Sequence, residues 1–153
     1  MHSADAQIGS MRRDWPTFKL THRSGGRLVW KGHLRPLGRE YLVKIELDAH
    51  QYRGFRAGLW AAPRITVLEP IIDRRPADPV TPVPHVYQNK EDPAYPRLCV
   101  HDPQEREWHG DCLIAHTIVP WTSEWLACYE VWRATGIWVG GGRHPAPPPK
   151  EPG

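Results

Sequence analysis

The sequence predicts an α+β fold in which a four-stranded antiparallel meander sheet packs on a central amphipathic helix, with a short helix at the N-terminus. Four short segments typical of strands follow one another in the first 70 residues, each bounded by turn residues. One later segment repeats apolar residues at helical spacing. The 153 residues include 17 prolines and 13 glycines, which favours one domain with many turns and few long helices.

The N-terminal residues 1–14 predict a short helix or a loose arm. Ile8 and Met11 are three residues apart in a polar stretch, which suits one apolar face of a short helix. Pro16 then helps to end the helix. We place the first boundary of the chain after residue 14.

Alternating apolar and polar residues predict the four strands. Residues 17–23 and 27–34 flank the turn residues 24–26 and indicate a hairpin. Residues 40–47 alternate strictly, as in a strand with one buried face, and 63–68 form a fourth short strand.

The segment that follows the fourth strand lacks periodicity. Seven prolines lie from Pro70 to Pro96, and they predict a long irregular segment over the surface. Long loops of this kind are usually functional, and this one carries His85 and Tyr87.

The central helix is predicted over residues 120–135. An apolar stripe at helical spacing is expected to pack on the sheet, and Gly136 is a natural end. The stripe comprises Trp121, Trp125, Cys128 and Trp132. The remaining residues 140–153 are rich in glycine and proline and predict a flexible tail.

Charge and composition exclude several classes of function. The net charge of +3 is small and its basic residues are interleaved with acids, so we expect no direct nucleic-acid partner. The start lacks a secretory signal, and no run approaches the ~20 apolar residues that span a bilayer, so we expect a soluble cytoplasmic protein without a membrane partner. Three cysteines then predict free thiols.

Cys99 is the most informative residue. It lies between Leu98 and Val100, and Arg97 and His101 are the nearby groups expected to lower the pKa of its thiol. The alternative is a small buried hydrophobe at the end of a strand. The local sequence leaves both interpretations open.

The order of motifs resembles that of the ubiquitin-conjugating enzyme family. After a four-strand meander come His85, the triplet Leu98-Cys99-Val100, Trp108 and an amphipathic helix, in the order of that family's motif histidine, catalytic triplet, tryptophan and helix. Several blocks over residues 15–138 are similar to the ubiquitin-conjugating-like component of CBASS anti-phage operons. They are Trp30-Lys-Gly, His85-Val-Tyr, Leu98-Cys99, Glu107-Trp108, Pro120-Trp-Thr-Ser-Glu-Trp-Leu, Tyr129-Glu-Val-Trp and Thr135-Gly-Ile-Trp-Val-Gly-Gly-Gly.

This resemblance implies a UBC-like catalytic domain over residues 15–139 and an enzyme that forms a thioester on Cys99. It implies a protein partner, the CBASS nucleotidyltransferase, whose C-terminal glycine forms the thioester. It also implies that this glycine is then transferred to an amine. A separate activating enzyme is a further candidate partner, since the sequence has no Gly-rich phosphate loop. No cofactor and no metal is expected.

The chain departs from the family motif next to the histidine. Val86-Tyr87 replaces the usual proline and asparagine, and Asn89 is displaced by two positions. The expected hydrogen-bond donor is therefore Asn89, the Tyr87 hydroxyl or a backbone N–H. His85 is expected to fix the loop.

Acidic residues follow the candidate nucleophile. Asp102, Glu105 and Glu107 could orient or deprotonate an incoming amine, or form a solvated turn. Thioesters are already activated, so transfer to an amine needs no strong general base.

Three other functions fit parts of the sequence. A cysteine hydrolase would use Cys99 with His85 or His101 and Asn89, although Asp102-Pro103 discourages a helix beginning at the thiol. A non-catalytic binding module would need no thiol. A zinc site could draw on Cys99, His101, His109, Cys112 and His116. Cys112 and Cys128 are expected to be inert.

Overall fold

A computed structural model describes residues 2–24, 26–48, 62–102 and 107–140. In this part of the chain, two helices accompany a six-stranded antiparallel sheet with the strand order β1-β2-β3-β4-β6-β5. The elements are α1 Ala4–Asp14, β1 Lys19–Ser24, β2 Arg27–Leu34, β3 Tyr41–Asp48, β4 Arg64–Glu69, β5 Val86–Tyr87, β6 Arg97–Leu98 and α2 Ile118–Thr135.

The first four strands form an antiparallel meander at the predicted positions. β3 alternates between buried and half-buried residues along its whole length, so one face is directed into the core. Trp30 on β2 pairs with Ile45 on β3, and both side chains are buried. The alternation in sequence therefore indicates the buried face correctly.

The prediction of a four-stranded sheet was wrong in number. β5 and β6 pair with each other through Val86 with Leu98 and Tyr87 with Arg97, and β6 joins the sheet where Arg97 pairs with Thr66 of β4. Each has only two residues, too few to show an alternating pattern. The segment 70–96 is therefore not wholly irregular, since it contains β5.

The N-terminal segment forms helix α1, so of the two predicted alternatives, a short helix or a loose arm, the helix is observed. The Ser3 hydroxyl caps it by accepting a hydrogen bond from the Ala6 backbone N–H. Ile8 and Met11 are buried in the same hydrophobic core as the sheet. The buried Gln7 amide donates to the Cys112 carbonyl and accepts from the Ile114 N–H, which fixes α1 to the segment before α2.

Helix α2 packs on the sheet through aromatic residues. It begins at Ile118, two residues before the predicted start, and ends at Gly136, whose φ of 79° is left-handed. Trp125 and Trp132 are buried as predicted, whereas Trp121 is half-buried. The Tyr129 ring meets the Tyr41 ring of β3 edge-on, with centroids 6.5 Å apart. No helix in the described residues is long and apolar enough to cross a membrane.

A close approach between β2 and the residue before β1 requires glycine at position 32. A Cβ there would lie 2.5 Å from Phe18 Cγ and 2.8 Å from Phe18 Cα. Gly9 in α1 is the opposite case, since nothing lies within 4 Å of a Cβ added to it.

Of the predicted tail, residues 141–153 lie outside the described part of the chain.

Candidate active site

Cys99 directly follows β6, and its backbone continues the pairing with β5. The Cys99 N–H donates to the His85 carbonyl at 3.0 Å. The same carbonyl accepts a second hydrogen bond from Trp125 Nε1–H, also at 3.0 Å. His85 has a left-handed φ of 53°, uncommon for a residue other than glycine. Helix α2 thus holds the backbone that positions the thiol.

Cys99 is buried, and it is one of the residues that line a cavity. Only 3% of the residue is exposed. Its Sγ is 3.0 Å from the Tyr87 hydroxyl oxygen and 3.4 Å from the His101 carbonyl oxygen. The cavity has a volume of about 290 Å³ and lies between the start of β4 and residues 97–101. This volume is at the lower limit of small-ligand pockets, which run from about 300 Å³.

The charges around the sulfur differ from those expected. Burial raises the pKa of the Cys99 thiol, and the nearby carboxylates of Asp102 and Glu107 raise it further, while the Tyr87 hydroxyl opposes them. Arg97 lies 3.7 Å from the Glu91 carboxylate, in an ion pair of its own. His101 does lower the pKa of this thiol, but through a backbone hydrogen bond and not through a charged imidazole, so the predicted cationic setting was wrong.

His101 lines the cavity as a largely uncharged group. Burial lowers the pKa of its imidazole, and Glu107 and Asp102 only partly oppose this. Its Nδ1 is buried and has no hydrogen-bond partner among the described residues. The ring lies against Trp121, with centroids 6.1 Å apart. His101 acts on the sulfur through its backbone: its carbonyl oxygen is 3.4 Å from Sγ, and a backbone hydrogen bond lowers the pKa of the thiol.

The structure places His85 and Asn89 in supporting positions. The His85 ring packs on Trp138 with centroids 5.0 Å apart. The Asn89 amide nitrogen donates to the Tyr95 carbonyl at 2.9 Å, and its oxygen accepts from the Asp92 N–H at 3.2 Å. The Asn89 amide therefore closes the loop between β5 and β6.

Two of the three predicted acidic residues, Asp102 and Glu107, lie close enough to Cys99 to raise the pKa of its thiol. Asp102 is only 8% exposed, and its backbone N–H donates to Glu107 Oε2 at 3.1 Å. Its carboxylate contributes to the raised pKa values of Cys99 and Tyr87. Glu105, the third predicted acid, lies outside the described residues.

The residues of the zinc alternative are engaged separately. His116 Nε2 is 2.7 Å from an Asp14 carboxylate oxygen, and His109 Nδ1 is 3.9 Å from Asp111. Within the described ranges, no group of three or more His, Cys, Asp or Glu residues is placed to hold a metal ion.

The hydrolase alternative lacks the helix N-terminus that lowers the pKa of a nucleophilic thiol, because Cys99 follows a strand and does not begin a helix.

Trp125 is the functional residue that sequence reasoning missed. The helical stripe identified it as core, and the side chain is 2% exposed. A buried tryptophan N–H nevertheless needs an acceptor, and here the acceptor is the carbonyl of His85. From the sequence one could predict that a buried tryptophan N–H has a hydrogen-bond acceptor, but not that the acceptor is the His85 carbonyl.

Comparison with known proteins identifies one family. A family model described as Type II CBASS E2 protein matches residues 7–145. No curated protein and no solved structure gives a significant match to the chain. The matched range includes α1 from residue 7 onward, α2, all six strands and Cys99.

Proposed function

Because the chain belongs to the Type II CBASS E2 protein family, which indicates E2-like activity in CBASS anti-phage defence with a protein partner, we propose that it is an acyl carrier. Cys99 forms a thioester with the C-terminal glycine of that partner and transfers the acyl group to an amine. The partner we propose is the CBASS nucleotidyltransferase. Residues 15–139 form the catalytic domain, with a UBC-like fold.

The observation that carries this proposal is the position of Cys99 in the wall of a cavity. Of the three cysteines, Cys128 is buried within the α2 stripe and Cys112 is half-buried beside the Glu107 carbonyl. Of these three, Cys99 alone lines the 290 Å³ cavity, where its sulfur lies beside the Tyr87 hydroxyl. A glycine terminus has no side chain, which suits a narrow approach to a buried sulfur.

The chemistry proceeds in two acyl transfers. The Cys99 sulfur attacks the carbonyl carbon of an activated donor, which is a thioester on an activating enzyme or an acyl adenylate. The new S–C bond forms, the donor's leaving group departs with its electron pair, and the thiol proton is released. In the second transfer an amine attacks the same carbon and the C–S bond breaks. The sulfur keeps that electron pair and regains a proton, and an amide is formed.

Asp102 is suited to receive the amine. Its carboxylate is near Cys99, where it raises the pKa of the thiol, and it is largely shielded from water. In the second transfer we assign it the orientation of the incoming ammonium and acceptance of the proton that the amine loses. His85 and Asn89 flank β5, the strand that carries Tyr87, and Asn89 closes the loop that follows it.

The decisive experiment reconstitutes the first transfer. The full chain is incubated with the CBASS nucleotidyltransferase, ATP and an activating enzyme, and adducts are separated on gels with and without reductant. We expect a reductant-sensitive adduct in the wild type, none in Cys99→Ala, and a reductant-resistant adduct in Cys99→Ser.

Two matched variants control for general effects of removing a thiol. Cys112→Ala and Cys128→Ala should form the adduct at about the wild-type rate, because neither sulfur lines the cavity. An adduct that persists in Cys99→Ala, or one lost equally in all three variants, would contradict the assignment of Cys99.

A further inference from the structure

We propose that Tyr87 is a catalytic residue whose hydroxyl donates a hydrogen bond to the Cys99 sulfur whenever that sulfur carries negative charge. This role rests on the acyl-carrier function proposed above, and it assigns the polar donor that the departure from the family motif leaves open. Its basis is the pairing of β5 with β6, which brings one phenol to one thiol.

The register of these two strands determines the contact. Tyr87 pairs directly with Arg97, and Cys99 is two residues beyond Arg97, on the same face of an extended chain. Diagonal neighbours across an antiparallel pair are within reach of aromatic side chains. The Tyr87 hydroxyl accordingly lies 3.0 Å from Sγ, and both residues line the cavity.

The other candidate donors are engaged elsewhere or contribute less. Both polar atoms of the Asn89 amide are used in the loop between β5 and β6. At His101 the carbonyl oxygen lies 3.4 Å from the sulfur, and a backbone hydrogen bond from the same residue lowers the pKa of the thiol. Among these candidates the Tyr87 hydroxyl is the side-chain donor to the sulfur, and it lowers the pKa of the thiol more than the His101 backbone does.

The surrounding charges make such a donor necessary. Asp102 and Glu107 disfavour a thiolate at position 99, so an anionic sulfur depends on local hydrogen bonding. Burial and the contact with Cys99 raise the pKa of Tyr87, so the phenol keeps its proton at neutral pH and remains a donor. In the resting enzyme the thiol donates to the same oxygen.

The donor acts at the bond-breaking step. When the amine displaces the acyl group, the C–S bond breaks and the sulfur departs with both electrons. The Tyr87 O–H stabilises this developing thiolate without transferring its own proton. The proton lost by the amine finally resides on the sulfur, which restores the thiol. The same contact favours the thiolate that attacks the donor in the first transfer.

The test compares Tyr87→Phe with the wild type in two assays on the full chain. In the first, iodoacetamide labels the protein over a range of pH and mass spectrometry reads the rate at Cys99. Loss of a hydrogen bond to a charged group should raise the apparent pKa of Cys99 by about one to two pH units. Since thiolate reactivity rises with pKa, the rate near neutral pH should fall only about threefold to tenfold.

The second assay follows release of the acyl group from the isolated Cys99 adduct to an added amine. Tyr87→Phe should slow this release by roughly tenfold or more, because the leaving thiolate has lost its donor. Tyr95→Phe is the matched control: Tyr95 contributes its backbone carbonyl to the loop, so its loss of a hydroxyl should change neither assay.

The outcomes separate the two proposals. If the wild type forms the adduct while a folded Tyr87→Phe protein keeps the wild-type alkylation profile and release rate, Tyr87 is not catalytic and the acyl-carrier function stands. If the alkylation profile shifts but no wild-type adduct forms with the partner, the contact is real and the acyl-carrier function fails, and with it the catalytic role of Tyr87.

Discussion

Replacing Asn89 with alanine separates support of the loop from participation in chemistry. The side chain makes two hydrogen bonds, at 2.9 Å to the Tyr95 carbonyl and 3.2 Å from the Asp92 N–H, and it is 8% exposed. At about 0.5–1.5 kcal/mol for each bond, the free energy of unfolding should fall by about 1–3 kcal/mol. For a chain of this length that corresponds to a decrease in Tm of about 2–12 °C.

The assay pairs thermal unfolding with alkylation of Cys99. Asn89→Ala should lower Tm but change the Cys99 alkylation rate by less than about twofold, because the contact of the sulfur with Tyr87 depends on the β5–β6 pairing. Gln88→Ala, at the exposed neighbouring position, should stay within about 0.5 kcal/mol of the wild type. If Asn89→Ala has an unchanged Tm but no longer supports acyl transfer, this reasoning is refuted and Asn89 takes part in the chemistry.

Two further predictions concern stability. Gly32→Ala should destabilise by about 1–3 kcal/mol, since its Cβ would meet a ring and a backbone atom at under 3 Å, whereas Gly9→Ala should stabilise by roughly 1 kcal/mol; opposite shifts in Tm check both, and equal shifts contradict them. Burial lowers the pKa of His101 in the folded protein, so the unfolded chain binds a proton on this imidazole at a higher pH than the folded protein does. The free energy of unfolding should therefore be highest above pH ~6.5 and should decrease as the pH falls below that value. Urea unfolding from pH 8 to 5 should show a smaller loss in His101→Gln, and equal losses would be evidence against this.

The sequence predicts those elements that are long enough to show a period. β3 alternates over eight residues, and its buried face follows directly from the pattern. The end of α2 at Gly136 follows from the left-handed conformation that glycine accepts. β5 and β6 have two residues each and contain no pattern. They exist because a neighbouring strand supplies hydrogen-bond partners, which is a tertiary property.

The sequence placed several residues of the candidate site near one another, but it did not predict the electrostatics around the sulfur. Cys99, Tyr87 and Asp102 were identified from order and chemistry, and they lie together in the structure. Arg97 and His101 are close to Cys99 in sequence, which suggested a cationic setting. In the structure the Arg97 guanidinium faces Glu91, and burial favours the neutral form of His101. Proximity along the chain does not determine which charge faces a buried sulfur.

A thiol with a raised pKa at first conflicts with nucleophilic catalysis, because little of it is thiolate at neutral pH. The conflict is smaller for an acyl carrier than for a hydrolase. A thiolate of higher pKa is intrinsically more nucleophilic and is also a poorer leaving group, which slows loss of the thioester to water. Burial excludes water as well, and the activated donor supplies the electrophile. In the acyl-carrier function that we propose, this setting of Cys99 favours holding an acyl group until an amine arrives, and the Tyr87 hydroxyl is the group that stabilises the departing sulfur.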